Sequence, residues 1–381
     1  MNEQQAKANK QKTTQTTDNK TYCKKKKMLL RNCIRRLPLM NQKGKENVFS
    51  VLQYNILAGN LGKANRFPYV KKDLLDWQFR KKLIVQNVIE TDATIVCMEE
   101  LNDYEDYFKG AMFQYGYNSV YFKRPSLNES SWSGVNKYDG CGIFFKSTKF
   151  EMLEQETLIY NDTHDRIALF VLLQSKESGE KIIVVSTHLY WNIKKIDVQL
   201  AELKELTEKL KFVTDKWFSG SKNTPPIIIA GDFNNIPGSP VYEYMEKELS
   251  FKSAYRNYAN INDNNNCDIN NGDDNNGDNN NDVANGGKNE PPHTTVNYKR
   301  CQTIDYIWHS NNLLPIELLE IPSEDLLRAE DGPDGWLDAV NESLGDGLLN
   351  KSSNNNGIPN SKFGSDHIPI MARFVFLPSS L

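Results

Sequence analysis

A chain of 381 residues, 39% hydrophobic and 25% charged, holds enough apolar material for one large core or two ordinary ones. Its longest apolar runs, PPIIIAG at 225–231 and ALFVLL at 168–173, are too short to span a bilayer, and no secretory leader follows the N-terminal charges. The net charge of −3 conceals thirteen Lys or Arg against three acids in residues 1–48; the remainder, near −13, does not have the field of a protein that coats DNA.

Residues 1–47 read as a basic, disordered extension, with KKKK at 24–27 and RNCIRR at 31–36. From there the chain alternates β-rich runs with helical stretches up to residue 376, and a short tail closes it at 377–381. Strands are predicted at 48–54, 93–98, 141–146, 167–173, 181–187, 226–230, 303–308 and 368–375. A helix is predicted over 74–90, with Leu75, Phe79, Ile84 and Val88 on one face. A second runs over 198–217 through Leu200, Leu203, Leu206, Leu210 and Val213. Between 260 and 289, twenty of thirty residues are Asn or Asp, which predicts a disordered surface loop interrupting the domain. Many strands and few helices make this an α+β chain, a two-layer β-sandwich flanked by helices. The six cysteines are scattered without a C-x₂-C pair, so zinc knuckles and redox dithiols are not indicated and a reducing compartment fits.

The polar residues that carry chemistry sit where predicted strands end. Asn55 follows VFSVLQY, Glu100 follows ATIVCM, His188 follows KIIVVST, and Asp232 with Asn234 follow PIIIA. Asp305 is embedded in the predicted strand TIDYIW, and Asp366 and His367 precede the last one. Strand ends on one edge of a layered fold can converge on one cleft. Phosphodiester hydrolysis needs neutralised phosphoryl oxygens, an activated water and a stabilised leaving oxygen, and Mg²⁺ supplies part of this through a few hard oxygen ligands. Glu100, Asn55 and Asp366 are the metal candidates. Asp232 and Asn234 suit water and phosphate positioning, His367 a general base oriented by Asp305, and His188 a phosphoryl oxygen. Neither G-x₄-G-K-[ST], G-x-G-x-x-G nor G-x-S-x-G occurs, which removes the usual ATPase, dinucleotide and serine-hydrolase readings.

These blocks, LQYNILA, IVCMEEL, KYDGCGIFFKSTKF, STHLYWN, AGDFNNIPGSPVY, TIDYIW and FGSDHIPIMARF, resemble the endonuclease/exonuclease/phosphatase family. More narrowly they resemble its carbon-catabolite-repressor-type deadenylase branch, whose relatives include nocturnin, Angel and 2′-phosphodiesterase proteins. The resemblance implies Mg²⁺, with Mn²⁺ able to substitute, and 3′-to-5′ removal of poly(A) as 5′-AMP. It assigns Glu100 and Asn55 to the metal, His188 to phosphate, Asp232 and Asn234 to water and phosphate, and Asp305 and His367 to the acid–histidine couple, with Asp366 beside it. It also implies single-stranded RNA as partner, while residues 1–47 are too short and too polar to form the leucine-rich-repeat docking arm that some of these enzymes carry. Glu99 departs from the pattern, because a glutamine usually precedes the metal glutamate. By strand alternation Glu99 and Glu100 should face opposite ways.

RNA ends are gripped by stacking and by donors to phosphate, which singles out Arg124, Tyr190 and Trp191, with Trp132 and Tyr138 near the first, while Pro292, His293 and Thr294 resemble the family segment near the terminal base. The open alternatives are a nucleotide 2′-phosphatase or 2′-5′ oligoadenylate phosphodiesterase, a DNA repair nuclease, a lipid or inositol phosphatase, and a catalytically silent RNA-binding scaffold. The expected location is cytoplasmic, with nucleus or mitochondrion open.

Overall fold

The computed structural model describes residues 34–36 (backbone only), 47–125, 139–161, 164–220, 225–259, 289–328 and 357–377. Most of the 1–47 extension, the 260–288 segment, Trp132, Tyr138 and residues 378–381 lie outside them. In chain order the strands are β1 (Ile34–Arg36), β2 (Val48–Asn55), β3 (Ile95–Leu101), β4 (Tyr117–Lys123), β5 (Gly140–Lys146), β6 (Phe150–Ile159), β7 (Ile167–Ser175) and β8 (Lys181–His188). They continue with β9 (Ile227–Asp232), β10 (Lys252–Ser253), β11 (Thr295–Val296), β12 (Cys301–Gln302), β13 (Asp305–His309), β14 (Leu313–Leu319) and β15 (Ile370–Phe376). The two long helices are α1 (Trp77–Thr91) and α2 (Ile196–Trp217).

Two sheets form, one of seven strands in the order β1-β14-β15-β2-β3-β5-β4 and one of six in the order β10-β13-β9-β8-β7-β6. Their facing sides interdigitate through Phe49, Val51, Ile95 and Ile143 on one and Leu169, Val171, Val184 and Ile228 on the other. The alternate side chains are also buried. Leu52, Tyr54, Val96 and Met98 pack on Ile84 and Val88 of α1. Phe170, Ile183 and Val185 pack on Leu203, Leu206, Leu210 and Val213 of α2. Burial on both faces explains why these strands read as continuous apolar runs. Each fully buried leucine contributes about 1.5–3 kcal/mol relative to exposure.

The observed layers are the predicted sandwich flanked by helices, with local differences. Within the segment read as an extension, β1 pairs antiparallel with β14, so those three residues join the sheet edge. Helix α1 starts only at Trp77, where Asp76 caps the Gln78 and Phe79 amides. Phe79 is exposed and Arg80 takes an inward position instead. The strands β4, β6 and β14 were not predicted. β6 is an edge strand whose pattern FEMLEQETLI exposes its glutamates, so it lacks the apolar run that marks its neighbours.

Candidate active site

The topology brings strand ends together. β2 runs parallel to β3 and β8 parallel to β9, so four C-termini lie along one end of the sandwich. β13 is antiparallel to β9 and starts there, placing Asp305 opposite Asp232. β15 is antiparallel to β2, which delivers Asp366 and His367 to the same end. A Cβ at Gly231 would run into the Thr187 carbonyl, so the close approach of β8 and β9 beneath His188 and Asp232 requires glycine.

Hydrogen bonds join Asn55, Glu100, Asp232, Asn234 and His188, and a separate one couples His367 to Asp305, with Asp366 beside His367. Asn55 Nδ2 donates to Asp232 Oδ2 at 3.0 Å and to Glu100 Oε1 at 3.4 Å, while its Oδ1 accepts from Leu57 N at 3.1 Å. The amide thus clamps two carboxylates together. Asn234, in the left-handed region at φ 50°, donates its backbone N–H to Asp232 Oδ1 at 2.8 Å. Its Nδ2 donates to Leu189 O and lies 3.0 Å from His188 Nε2, which assigns the imidazole proton to Nδ1. His367 Nδ1 donates to Asp305 Oδ2 at 2.8 Å, leaving Nε2 3.8 Å from Asp232 Oδ2 and 4.0 Å from Asp366 Oδ1. Asp305 also accepts from Gln53 Nε2 and Thr294 Oγ1. Gln199 of α2 holds the loops in place by donating to the Tyr190 and Asn234 carbonyls.

The two glutamates correct the alternation expectation. The β3–β5 register shifts between Met98 and Leu101, and Glu100 adopts φ 54°. This bulge turns Glu100 into the cleft, where Ala58 N donates to its Oε2 at 3.1 Å. Glu99 stays in the sandwich interior and accepts from Gln53 Nε2 at 2.7 Å and Ser186 Oγ at 2.8 Å. Burial, with Asp305 and Asp232 adding to it, pushes the Glu99 pKa well above the carboxylate range. Burial thus works against the charge that a glutamate in place of the usual glutamine would add here.

Carboxylates crowd the centre. Burial and then Asp305 push Asp232 up to about 7, and burial with Asp139 and Asp366 raises Glu100. Burial opposes charging His367, yet Asp305, Asp366 and Asp232 together carry its pKa well above 6.5. His188 is driven well below by burial and by the nearby Arg166 and Arg124. Ligand atoms of Asp232, Asp305 and His367 lie within 4.8 Å of one another, a group that could hold a metal ion. Asp305 already accepts three hydrogen bonds, however, so the oxygen donors with capacity to spare are Glu100, Asp232 and Asp366. This hard, negatively charged donor set fits a small divalent cation, which would relieve its repulsion.

The residues predicted to bind substrate are dispersed. Arg124 is committed to an ion pair with Asp139 at 3.1 Å and faces Asp165 at 3.6 Å. Tyr190 stacks on His164 with centroids 4.2 Å apart, and Trp191 beside it is 58% exposed. His293 is buried with Nε2 2.8 Å from Pro322 O. Sequence reasoning missed Gln53, Ser186 and Arg166, and it placed Thr294 near the terminal base rather than on Asp305. The first lies two residues before Asn55 and so shares its face, a signal that was available.

Residues 52–367 match the profile of the Endonuclease/Exonuclease/phosphatase family, a span that contains all eight clustered residues. The chain belongs to the endonuclease/exonuclease/phosphatase family. Among the relatives it matches are proteins of the carbon-catabolite-repressor type. It is 28% identical over 351 residues to the CCR4-Not complex 3′-5′-exoribonuclease subunit Ccr4 of Candida albicans, covering 86% of this chain and 41% of that protein. It is 26% identical over 379 residues to carbon catabolite repressor protein 4 homolog 3 of Arabidopsis thaliana, covering 87% and 75%. The chain thus spans less than half the length of the Candida relative. Among solved structures, the human nocturnin catalytic domain superposes with TM-score 0.60 at 23% identity, covering 90% of this chain and 97% of that one. ANGEL2, a 2′,3′-cyclic phosphatase, superposes with TM-score 0.65 at 22% identity, covering 90% and 97%. At these identities the structural likeness to both is one of fold.

Proposed function

We propose that this family member is a Mg²⁺-dependent phosphodiesterase, a 3′-to-5′ exoribonuclease that removes poly(A) and releases 5′-AMP. The observation that carries the reading is the Asn55 clamp, which joins Glu100 to Asp232 beside the His367–Asp305 couple. Glu100, Asp232 and Asp366 would hold the cation, with Mn²⁺ able to substitute, and Asn55 sets the spacing of the carboxylates rather than ligating directly. The bound cation supplies charge neutralisation at the phosphoryl oxygens.

The remaining work falls to the chain's own groups. His367 Nε2, free of protein donors, would take the proton of the attacking water once a bound cation offsets the Asp366 and Asp232 charges that raise its pKa, and Asp305 stabilises the imidazolium formed. Asn234, oriented by its bonds to His188 and Leu189, presents Oδ1 to that water. His188 fixes the Asn234 amide and lines the phosphoryl side. Tyr190 and Trp191, immediately after His188, offer faces on which terminal bases stack. No helix among the described residues is long and apolar enough to cross a membrane. A cytoplasmic site of action belongs to the same proposal.

The test is product analysis of the purified chain with A-tailed RNA, random-sequence RNA, 2′-5′ oligoadenylate and NADP⁺, each with and without Mg²⁺. The expected result is 5′-AMP from A-tailed RNA with Mg²⁺ alone. Inorganic phosphate from NADP⁺ as the favoured product would make it a 2′-phosphatase. RNA bound without turnover under any condition would make it a scaffold.

A further inference from the structure

Arg166 is the one cation near the cleft whose position nothing in the catalytic scheme explains. It is 7% exposed, and neither Nε nor Nη1 has a hydrogen-bond partner among the described residues. A guanidinium held this deep normally satisfies its donors, because unpaired buried charge is costly. Its place is fixed by the sheet. Arg166 immediately precedes β7, and its carbonyl accepts from Tyr160 N at 3.0 Å, extending the β6–β7 ladder by one step.

The strand order β13-β9-β8-β7 then sets out Asp305, Asp232, His188 and Arg166 across the same end of the sheet. Neighbouring strands lie about 4.8 Å apart, so Arg166 stands about 10 Å from Asp232. That is one strand beyond the residue that lines the scissile phosphate. Its charge reaches the cleft, since it depresses the His188 pKa, and, after burial and Arg124, it feels Glu202 of α2 and then Asp139 and Glu100. Arg124 cannot serve in its stead, being tied to Asp139.

We propose that Arg166 forms a second anion subsite, taking non-bridging oxygens of a substrate phosphate that neighbours the scissile one. A guanidinium offers phosphate charge-assisted hydrogen bonds from a planar fork that a lysine cannot reproduce. The inference rests on the phosphodiesterase reading, and it makes the enzyme prefer substrates with more than one phosphate.

The experiment uses the full chain and its Arg166→Gln and Arg166→Lys variants, with the dinucleotide ApA (one phosphate) and an A-tailed oligomer as substrates. Arg166→Gln should raise the KM for the oligomer about 10- to 100-fold, the range expected for a lost charge-assisted pair. It should leave kcat within about threefold and ApA kinetics unchanged, with Arg166→Lys in between, since it keeps the charge and loses the fork. Parallel losses on both substrates, or no change in either, would overturn the proposal. A second arm is independent of turnover. Calorimetry with pyrophosphate and inorganic phosphate should show wild type favouring pyrophosphate and Arg166→Gln losing that preference. An equal preference in both proteins would overturn the subsite. Absence of RNA cleavage by wild type would instead strike the exoribonuclease reading, leaving this arm to decide Arg166. Arg166→Gln takes a counter-charge from fully buried Glu202, so if it melts early, binding is read from Arg166→Lys, which keeps that charge.

Discussion

Glu100→Gln should cut kcat/KM by at least about 10³-fold, near 4 kcal/mol of barrier, while the metal-free protein melts no earlier than wild type. The loss follows from removing the carboxylate that the β3 bulge turns into the cleft. The retained stability follows from the electrostatics: burial, Asp139 and Asp366 all raise the Glu100 pKa, so the charge at this position opposes folding when no cation is present. A glutamine can still accept from Ala58 N and relieves the repulsion. Asp232→Asn should show the same kinetic loss. Steady-state kinetics paired with thermal melts in EDTA checks both halves. A variant that kept Mg²⁺-dependent turnover would remove Glu100 from the site, and one that melted far below wild type would show a structural role instead.

Arg80→Met carries the largest expected effect on stability. Arg80 is 0% exposed, and its guanidinium donates to the Leu57 and Gly364 carbonyls at 2.8 and 3.0 Å. Weaker contacts reach Leu75 O at 3.3 Å, Ile56 O at 3.4 Å and Ala58 O at 3.5 Å. Burial lowers its pKa only to about 10, so it stays charged at neutral pH. Truncation strands several buried carbonyls at once and should cost about 3–5 kcal/mol. Arg80 also ties the turn after Asn55 to the segment before His367, so catalysis should fall together with stability. Arg80→Lys, which retains the charge but reaches fewer acceptors, should lie between. Denaturant unfolding checks this, and a loss under about 1 kcal/mol for Arg80→Met would show that the carbonyls find water instead.

What the residues revealed in advance follows from what each signal measures. Strands buried on both faces, such as β7, β8 and β9, announce themselves as apolar runs, and their terminal Asp232 and His188 were legible because a polar residue ends each run. Edge strands β4 and β6 gave no such signal, since half their side chains face water. Arg80 reads as one of three basic residues in RKK at 80–82, and periodicity alone assigns it to solvent; only the carbonyls gathered from the 56–58 turn and residue 364 reveal its burial. Glu99 and Glu100 could not be separated because alternation assumes a regular strand, and the bulge breaks that assumption where the chemistry sits. Arg166 lies before β7 without a motif, and Arg124, which follows an aromatic-basic run, looked the better phosphate ligand. Ion pairing, which local sequence does not encode, reverses their ranking.

The measurement closest to the central claim is Mn²⁺ binding to the full chain, followed by electron paramagnetic resonance, for wild type, Glu100→Gln and Asp232→Asn. Strand ends gathered into one hard-oxygen site predict a saturable wild-type signal and affinity weakened at least about tenfold in each variant. Indistinguishable binding by all three proteins would contradict it.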